Sequence, residues 1–186
     1  MKQYTVAVVG AGLVGKTMVE VLLQRRFPAK HILVFATRRR KEEIAGRRFS
    51  VEIADESSFR GVDIALFAGT EGERGASRQF GWEAVRQGCV VIDNGSDFRM
   101  DPRVPLVVPE VNPEHLSAHA GFIANPNCST IQMVMVLHPL RKAFGIRSVV
   151  VSTYQAVSGT GRAAVEELRK QTDAVVRGEN PRPAVY

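Results

Sequence analysis

The sequence predicts an α/β protein: a doubly wound parallel sheet followed by the beginning of a second α+β domain. Two observations carry this. Short β-branched apolar runs alternate with stretches whose apolar residues recur at helical spacing, and a glycine-rich turn joins the first run to the first helical stretch. The bulk properties agree. The chain has 186 residues, which suits one large domain or one and a fraction. Apolar residues make up 45% and charged residues 24%, which excludes a disordered chain. Folding at this length buries roughly 70% of the unfolded surface.

Taken in order, Thr5 to Val9 (TVAVV) is a buried parallel strand that stops at glycine. Leu13 to Arg26 is a helix with Val14, Met18, Val21 and Leu22 on its apolar face, ended by Phe27-Pro28. His31 to Ala36 is a second buried strand. Arg38 to Arg48 is dense in charge and reads as irregular, and Phe49 to Ile53 reads as an edge strand. Asp63 to Ala68 is a strand, Glu73 to Gln87 a helix closed by Gly88, and Cys89 to Asp93 a further strand. Such βαβ units imply right-handed crossovers.

After Asn94 the pattern loosens. Pro102, Pro105, Pro109 and Pro113 punctuate a long connection around Leu106 to Val108. Phe122 to Ala124 is a short strand broken by Asn125-Pro126. Ser129 to Phe144 is an apolar helix, Ile146 to Ala156 a long strand, and Gly161 to Arg177 a helix. The domain boundary is placed near Asn125, dividing the chain into 1–125 and 126–186. A second domain of one strand and two helices cannot cover both sheet faces, so the chain reads as a fragment of a longer protein.

Lys plus Arg number 25 and Asp plus Glu 19, for a net charge of +6. That bias suits an anionic ligand. No apolar run reaches the roughly 18 residues a membrane span needs, and no signal peptide is visible. Cys89 and Cys128 form no CxxC and no zinc spacing. Free thiols in a cytoplasmic setting are therefore expected, with no metal, nucleic-acid or membrane partner.

The glycine loop is Gly10-Ala11-Gly12-Leu13-Val14-Gly15. Its position between a strand and a helix makes it a dinucleotide-binding turn of the Rossmann type. Gly10 permits the tight turn, Gly12 lets the backbone approach a pyrophosphate, and Gly15 lets the helix pack closely. The start of the helix then offers free N–H groups to the phosphates. At the end of the second strand an NAD site usually carries an acid. Here Phe35-Ala36-Thr37-Arg38-Arg39-Arg40 has none. Thr37 can donate a hydrogen bond, and Arg39, Arg40 or their neighbour can pair with a 2′-phosphate, so NADP is the expected cofactor.

Cys128 follows Asn125-Pro126-Asn127 and opens an apolar helix. A cysteine in a first turn faces unpaired N–H groups and the positive end of the helix dipole, and both favour a charged, nucleophilic sulfur. Ser129 or Asn127 can cap that helix. Cys89 reads instead as a small buried apolar residue. A thiolate nucleophile usually needs an acid–base partner. His138 lies ten residues along the same helix, roughly 15 Å away. His31 opens a strand, and His115 and His119 lie in a polar connection, so none is placed to serve Cys128.

The segments GAGLVG, DNGSDFRM, PLVVPEVN, NPNCSTIQ and STYQAVSGTG fall in the order and spacing of the aspartate-semialdehyde dehydrogenases, which the whole chain resembles. NPNCST and STYQAVSG are the specific parts. The resemblance implies NADPH-dependent reductive dephosphorylation of L-aspartyl 4-phosphate, a step toward diaminopimelate, lysine, methionine and threonine, by a cytoplasmic homodimer. It implies Cys128 as the thioester nucleophile and Gln155 as the residue that orients the substrate. It places Arg99 and Asn127, and less strongly Ser96, at the phosphate. Ser158 and Gly159 join Gly10, Gly12, Leu13, Val14 and Gly15 at the cofactor.

Two departures stand out. The family's loop is usually one residue longer, GATGxVG, and the family continues well past Tyr186, where its catalytic histidine, carboxylate-binding arginine and most of its dimerisation domain lie. Little turnover is therefore expected from this chain alone. N-acetyl-glutamyl-phosphate reductase uses the same chemistry, but its cysteine sits in a glycine-cysteine-tyrosine context unlike Asn127-Cys128-Ser129. Glyceraldehyde-3-phosphate dehydrogenase is more distant. A non-catalytic nucleotide-binding or assembly module is the alternative of another class.

Overall fold

The computed structural model describes residues 2–69 and 75–185. The first strand, β1 (Tyr4–Val9), is the middle of a seven-stranded sheet. It pairs in parallel with β2 (Ala29–Phe35) on one side and with β5 (Ile64–Phe67) on the other. Beyond β2 lies β4 (Arg47–Glu52), again parallel, and then β3 (Arg40–Ile44), the one antiparallel strand. Beyond β5 lie β6 (Val90–Asp93) and β7 (Phe122–Ala124), both parallel. The order β3-β4-β2-β1-β5-β6-β7 reverses direction between β1 and β5. The crevice at such a reversal, outside the carboxyl ends of the strands, is where doubly wound sheets bind ligands.

Strand periodicity divides the core between the two faces. Ala7 and Val9 join a cluster with Phe59, Phe67, Val91 and Phe122, beneath helix α2 (Ala76–Arg86). Val8 joins Val34, Ile44, Val51 and Val19 on the opposite face, where helix α1 (Leu13–Gln24) packs. Phe59, Phe67 and Phe122 are fully buried, each contributing on the order of 2–3 kcal/mol by removal from water. Phe122 sits so close to α2 that a Cβ on Gly81 would fall 2.6 Å from its ring. The expected helix from Glu73 begins at Ala76, and residues 70–74 lie outside the described region.

Two expectations need correction. Arg38 to Arg48 is not irregular: β3 and β4 form a hairpin across residues 40–52. Its turn has Ala45 at φ 50° and Gly46 at φ 72°, the paired positive φ of a type I′ turn. The charges hid the strand because β3 is the exposed edge, where charge prevents pairing with other chains; only Ile44 turns fully inward, at 2% exposure. The segment read as an edge strand, Phe49 to Ile53, falls up to Glu52 in interior β4, held by β2 and β3.

The second correction concerns Ile146 to Ala156, which forms no strand. Strand pairing needs a neighbour for every second N–H and C=O, and no described residue pairs with this segment. It lies exposed, with Val150 at 98% and Tyr154 at 100%. Before it runs helix α3 (Cys128–Phe144), with no buried residue, ended by Gly145. After it come a short 3-10 turn at Val157–Thr160 and helix α4 (Arg162–Val176).

Candidate active site

The glycine loop leaves the carboxyl end of β1. Gly10 has φ 107°, and a Cβ there would lie 2.6 Å from the backbone of Ala68. Its N–H donates to the Phe35 carbonyl at 2.8 Å, which ties the turn to β2. Gly12 is the N-cap of α1, and a Cβ on it would meet nothing within 4 Å. At Gly15 a Cβ would lie 1.7 Å from the Gly10 carbonyl oxygen, so the helix packs directly on the loop. The loop thus has one glycine for the turn, one facing open space and one at a close contact.

The open space is a groove of about 820 Å³. Gly10, Ala11, Gly12, Leu13 and Val14 form one wall, with Ala36, Thr37 and Arg40 at the β2 end. Asn94 and Gly95, which follow β6, line it on the far side of the switch point. Ser158 and Gly159 reach it from the 3-10 turn, over 140 residues along the chain from the loop they face. Arg39 is not on this wall. It pairs with Glu52 at 3.0 Å in solvent.

Beneath the groove, Asp93 at the end of β6 is fully buried. Its Oδ1 accepts from the Ser77 hydroxyl at 2.6 Å and from the Gly95 N–H at 2.9 Å. Its Oδ2 has no hydrogen-bond partner. Burial pushes this carboxyl above the usual carboxylate range, more than the Ser77 and Gly95 bonds lower it. Asp93 therefore fastens the start of α2 to the loop that lines the groove.

The second set of residues meets at the ends of β6 and β7. Arg99 donates from Nε to the Asn125 carbonyl and from Nη2 to the Asn94 carbonyl, each at 3.0 Å. The Asn125 side chain donates to Asn94 Oδ1 at 3.0 Å. Asn127 caps α3: its Oδ1 accepts from the Ser129 N–H at 3.0 Å and the Ser129 hydroxyl at 2.6 Å. Cys128 is exposed, with Sγ 3.8 Å from Asn127 Oδ1. Ser96 accepts the Arg99 N–H through its carbonyl at 3.3 Å.

Gln155 stands apart. It lies in the exposed 146–156 segment and donates to Thr153 Oγ1 at 3.4 Å. Among the described residues no hydrogen bond joins it to Cys128 or Arg99. The histidines are also elsewhere: His115 Nδ1 is 3.0 Å from Asn112 Nδ2, and His119 Nδ1 accepts from the Gly121 N–H at 3.0 Å. Reading the sequence missed Asn94, Gly95 and Asn125 as site-forming residues. For Asn94 and Asn125 a signal was present: a polar residue immediately after the last buried residue of a parallel strand.

A doubly wound sheet with a glycine loop at its switch point, leading into a helix that opens on an exposed thiol, defines a dinucleotide-binding domain joined to a thiol-bearing segment. Residues 5–119 match the model of the semialdehyde dehydrogenase NAD binding domain, and residues 137–186 that of the semialdehyde dehydrogenase dimerisation domain. The chain belongs to the semialdehyde dehydrogenase family.

It is 48% identical over 184 residues to the aspartate-semialdehyde dehydrogenase of Bacillus subtilis, covering 97% of this chain and 52% of that protein. Identity to the enzyme of the same name from Aquifex aeolicus is 48% over 183 residues, covering 95% and 53%. The crystal structure of aspartate semialdehyde dehydrogenase II from Vibrio cholerae, complexed with ASA, matches with a TM-score of 0.91 at 40% identity. That match covers 100% of this chain and 56% of the other. The chain spans about half the length of these relatives. A nicotinamide dinucleotide is the cofactor class of the matched domain, and the open face at Gly12 leaves room for its phosphates. No helix among the described residues is long and apolar enough to cross a membrane.

Proposed function

We propose that this chain carries the cofactor-binding and thiol-bearing parts of an NADP-dependent aspartate-semialdehyde dehydrogenase, acting on L-aspartyl 4-phosphate in amino-acid biosynthesis. One observation carries the reading. Arg99 bridges Asn94, which lines the groove, to Asn125, which precedes Cys128 by three residues. A cation suited to phosphate is thus bonded both to a residue of the groove and to the strand end three residues before the thiol, which supports Arg99 and Cys128 serving one site.

In this reading the Cys128 sulfur attacks the acyl carbon, and the carbon–oxygen bond to phosphate breaks. Arg99 Nε and Nη2 donate to carbonyls, and among the described residues Nη1 makes no hydrogen bond, which leaves its N–H groups for the departing phosphate. Asn127 lies beside the sulfur and orders the first turn of α3. Held along the glycine loop, NADPH would supply a hydride to the thioester carbon, and the carbon–sulfur bond to Cys128 would then break to free the thiolate and the aldehyde, leaving NADP. Gln155 orients the substrate, a role that requires segment 146–156 to lie against the site. Thr37 and Arg40 line the β2 end of the groove, and no Asp or Glu is among its described lining residues, which supports NADP over NAD.

The wider reading divides the chain at 125 into a nucleotide domain and the start of a catalytic domain, supported by the end of sheet pairing at Ala124 and the new helix at Cys128. The match over 137–186 supports a homodimer, and two free thiols support a cytoplasmic setting. Turnover by this chain alone is slow, because no described histidine bonds to Cys128 and acid–base assistance is typically worth about 10²–10⁴-fold. The test is mass spectrometry of the chain after exposure to aspartyl phosphate. One acyl adduct on Cys128, with release of one phosphate, is expected. An unmodified Cys128 that still reacts with iodoacetamide overturns the proposal.

A further inference from the structure

The arginines that follow β2 occupy different surroundings. Arg39 pairs with Glu52, the two side chains being 76% and 52% exposed, so that contact is screened and weak. Arg40 lines the groove and is held on three sides. Its Nε donates to Glu42 Oε1 at 2.6 Å, its Nη1 to the Arg38 carbonyl at 3.3 Å, and its Nη2 to the Ala11 carbonyl of the glycine loop at 3.2 Å.

The other oxygen of Glu42 accepts from Lys16 Nζ at 2.7 Å. Glu42 is only 19% exposed, and the Lys16 bond, then the Arg40 bond, hold its carboxyl below the usual range. One carboxylate therefore joins three parts of the molecule: helix α1 through Lys16, strand β3 on which it sits, and the glycine loop through Arg40. A guanidinium has five donors. Three are engaged here, and among the described residues each terminal nitrogen retains one N–H.

We propose that Glu42 is a positioning residue for dinucleotide discrimination. By gripping Lys16 and Arg40 together it fixes the Arg40 guanidinium against the glycine loop, with an N–H of each terminal nitrogen left to bind the 2′-phosphate of NADP. The inference rests on the NADP reading above and makes a prediction opposite in sign to simple charge counting. A carboxylate beside a phosphate site repels the phosphate, so its removal should tighten NADP binding. If Glu42 works by holding Arg40, its removal lets a long, flexible side chain leave its preset geometry, and NADP binding weakens. NAD has no 2′-phosphate and is unaffected.

The experiment is calorimetric titration of this chain with NADP and with NAD, for wild type, Glu42→Gln, Glu42→Ala, Arg40→Ala and the Glu42→Ala/Arg40→Ala pair. Wild type is expected to prefer NADP. Glu42→Ala is expected to weaken NADP about tenfold, the scale of one hydrogen bond to a charged group, with NAD unchanged. Glu42→Gln keeps one acceptor and falls between. In the Arg40→Ala background, Glu42→Ala should cost nothing further, because the two act as one unit. Tighter NADP binding in Glu42→Ala, equal losses for both cofactors, or additive losses in the double variant overturn the inference while wild-type preference stands. A wild type that binds both cofactors equally overturns the NADP reading and the inference with it.

Discussion

Replacing Gly12 and Gly15 by alanine, one at a time, separates the two tasks of the glycine loop. At Gly12 φ is −82°, and a Cβ meets no atom within 4 Å, so the fold accommodates a methyl group. Two small backbone effects oppose each other there. Alanine stiffens the unfolded chain, a gain of about 0.4–1 kcal/mol, and caps a helix less well than glycine, a loss of similar size. The net change in stability is within roughly 0.5 kcal/mol.

At Gly15 the Cβ would lie 1.7 Å from the Gly10 carbonyl oxygen and 2.9 Å from its carbon. Both are backbone atoms, so α1 must retreat from the loop. Overpacking of this kind costs about 1–3 kcal/mol. For a chain of this size that lowers Tm by roughly 2–12 °C. Scanning calorimetry and NADP titration measure the two effects. Gly12→Ala should melt with wild type yet bind NADP at least about tenfold more weakly, or 1.4 kcal/mol, because its methyl occupies the approach of the pyrophosphate. Gly15→Ala should lose stability and binding together. Wild-type affinity in Gly12→Ala would refute the assignment of that open face to the phosphates, and an unchanged Tm in Gly15→Ala would refute the packing argument.

Three further outcomes are expected. Arg40→Ala should weaken NADP binding severalfold more than Arg39→Ala, whose side chain is spent on an exposed pair with Glu52; equal losses in titration would contradict this. Iodoacetamide should label the folded chain once, at exposed Cys128, and the unfolded chain twice. Cys89 is buried, its thiol is pushed up to about 11 by desolvation first and then by Asp63, and its labelling in the folded state at neutral pH would show that the β6 end of the core opens. Finally, the Asp93 carboxyl titrates higher folded than unfolded. Folding then favours the protonated form: its stability is full below the unfolded value near 4 and declines as pH rises toward the folded one. Asp93→Asn keeps an acceptor for Ser77 and Gly95 and should flatten that decline in denaturant titrations from pH 4 to 8; superimposable pH profiles would rule it out.

Local chemistry alone settled much of this molecule. The parallel strands β1, β5, β6 and β7 are short apolar runs bounded by breakers, a pattern that favours burial on both faces, whereas β2, read the same way, is buried only at Val34 and Phe35. The roles of Gly10, Gly12 and Gly15 follow from spacing, since a strand, a tight turn and a helix leave few places for each glycine. The cap of α3 is likewise a matter of adjacent residues, with Asn127 rather than Ser129 accepting the N–H. What the tertiary structure decided depends on partners distant in the chain. The β3–β4 hairpin was masked because an edge strand keeps its charges, and Ile146 to Ala156 stays unpaired because apolar alternation without a neighbouring strand cannot make a ladder. The meeting of Ser158 and Gly159 with the glycine loop, the Arg99 link between Asn94 and Asn125, the pairing of Arg39 with Glu52 and the contacts of Arg40 with Ala11 and of Glu42 with Lys16 have no local signature. They arise only when the strands order themselves about β1 and bring their carboxyl ends to one edge.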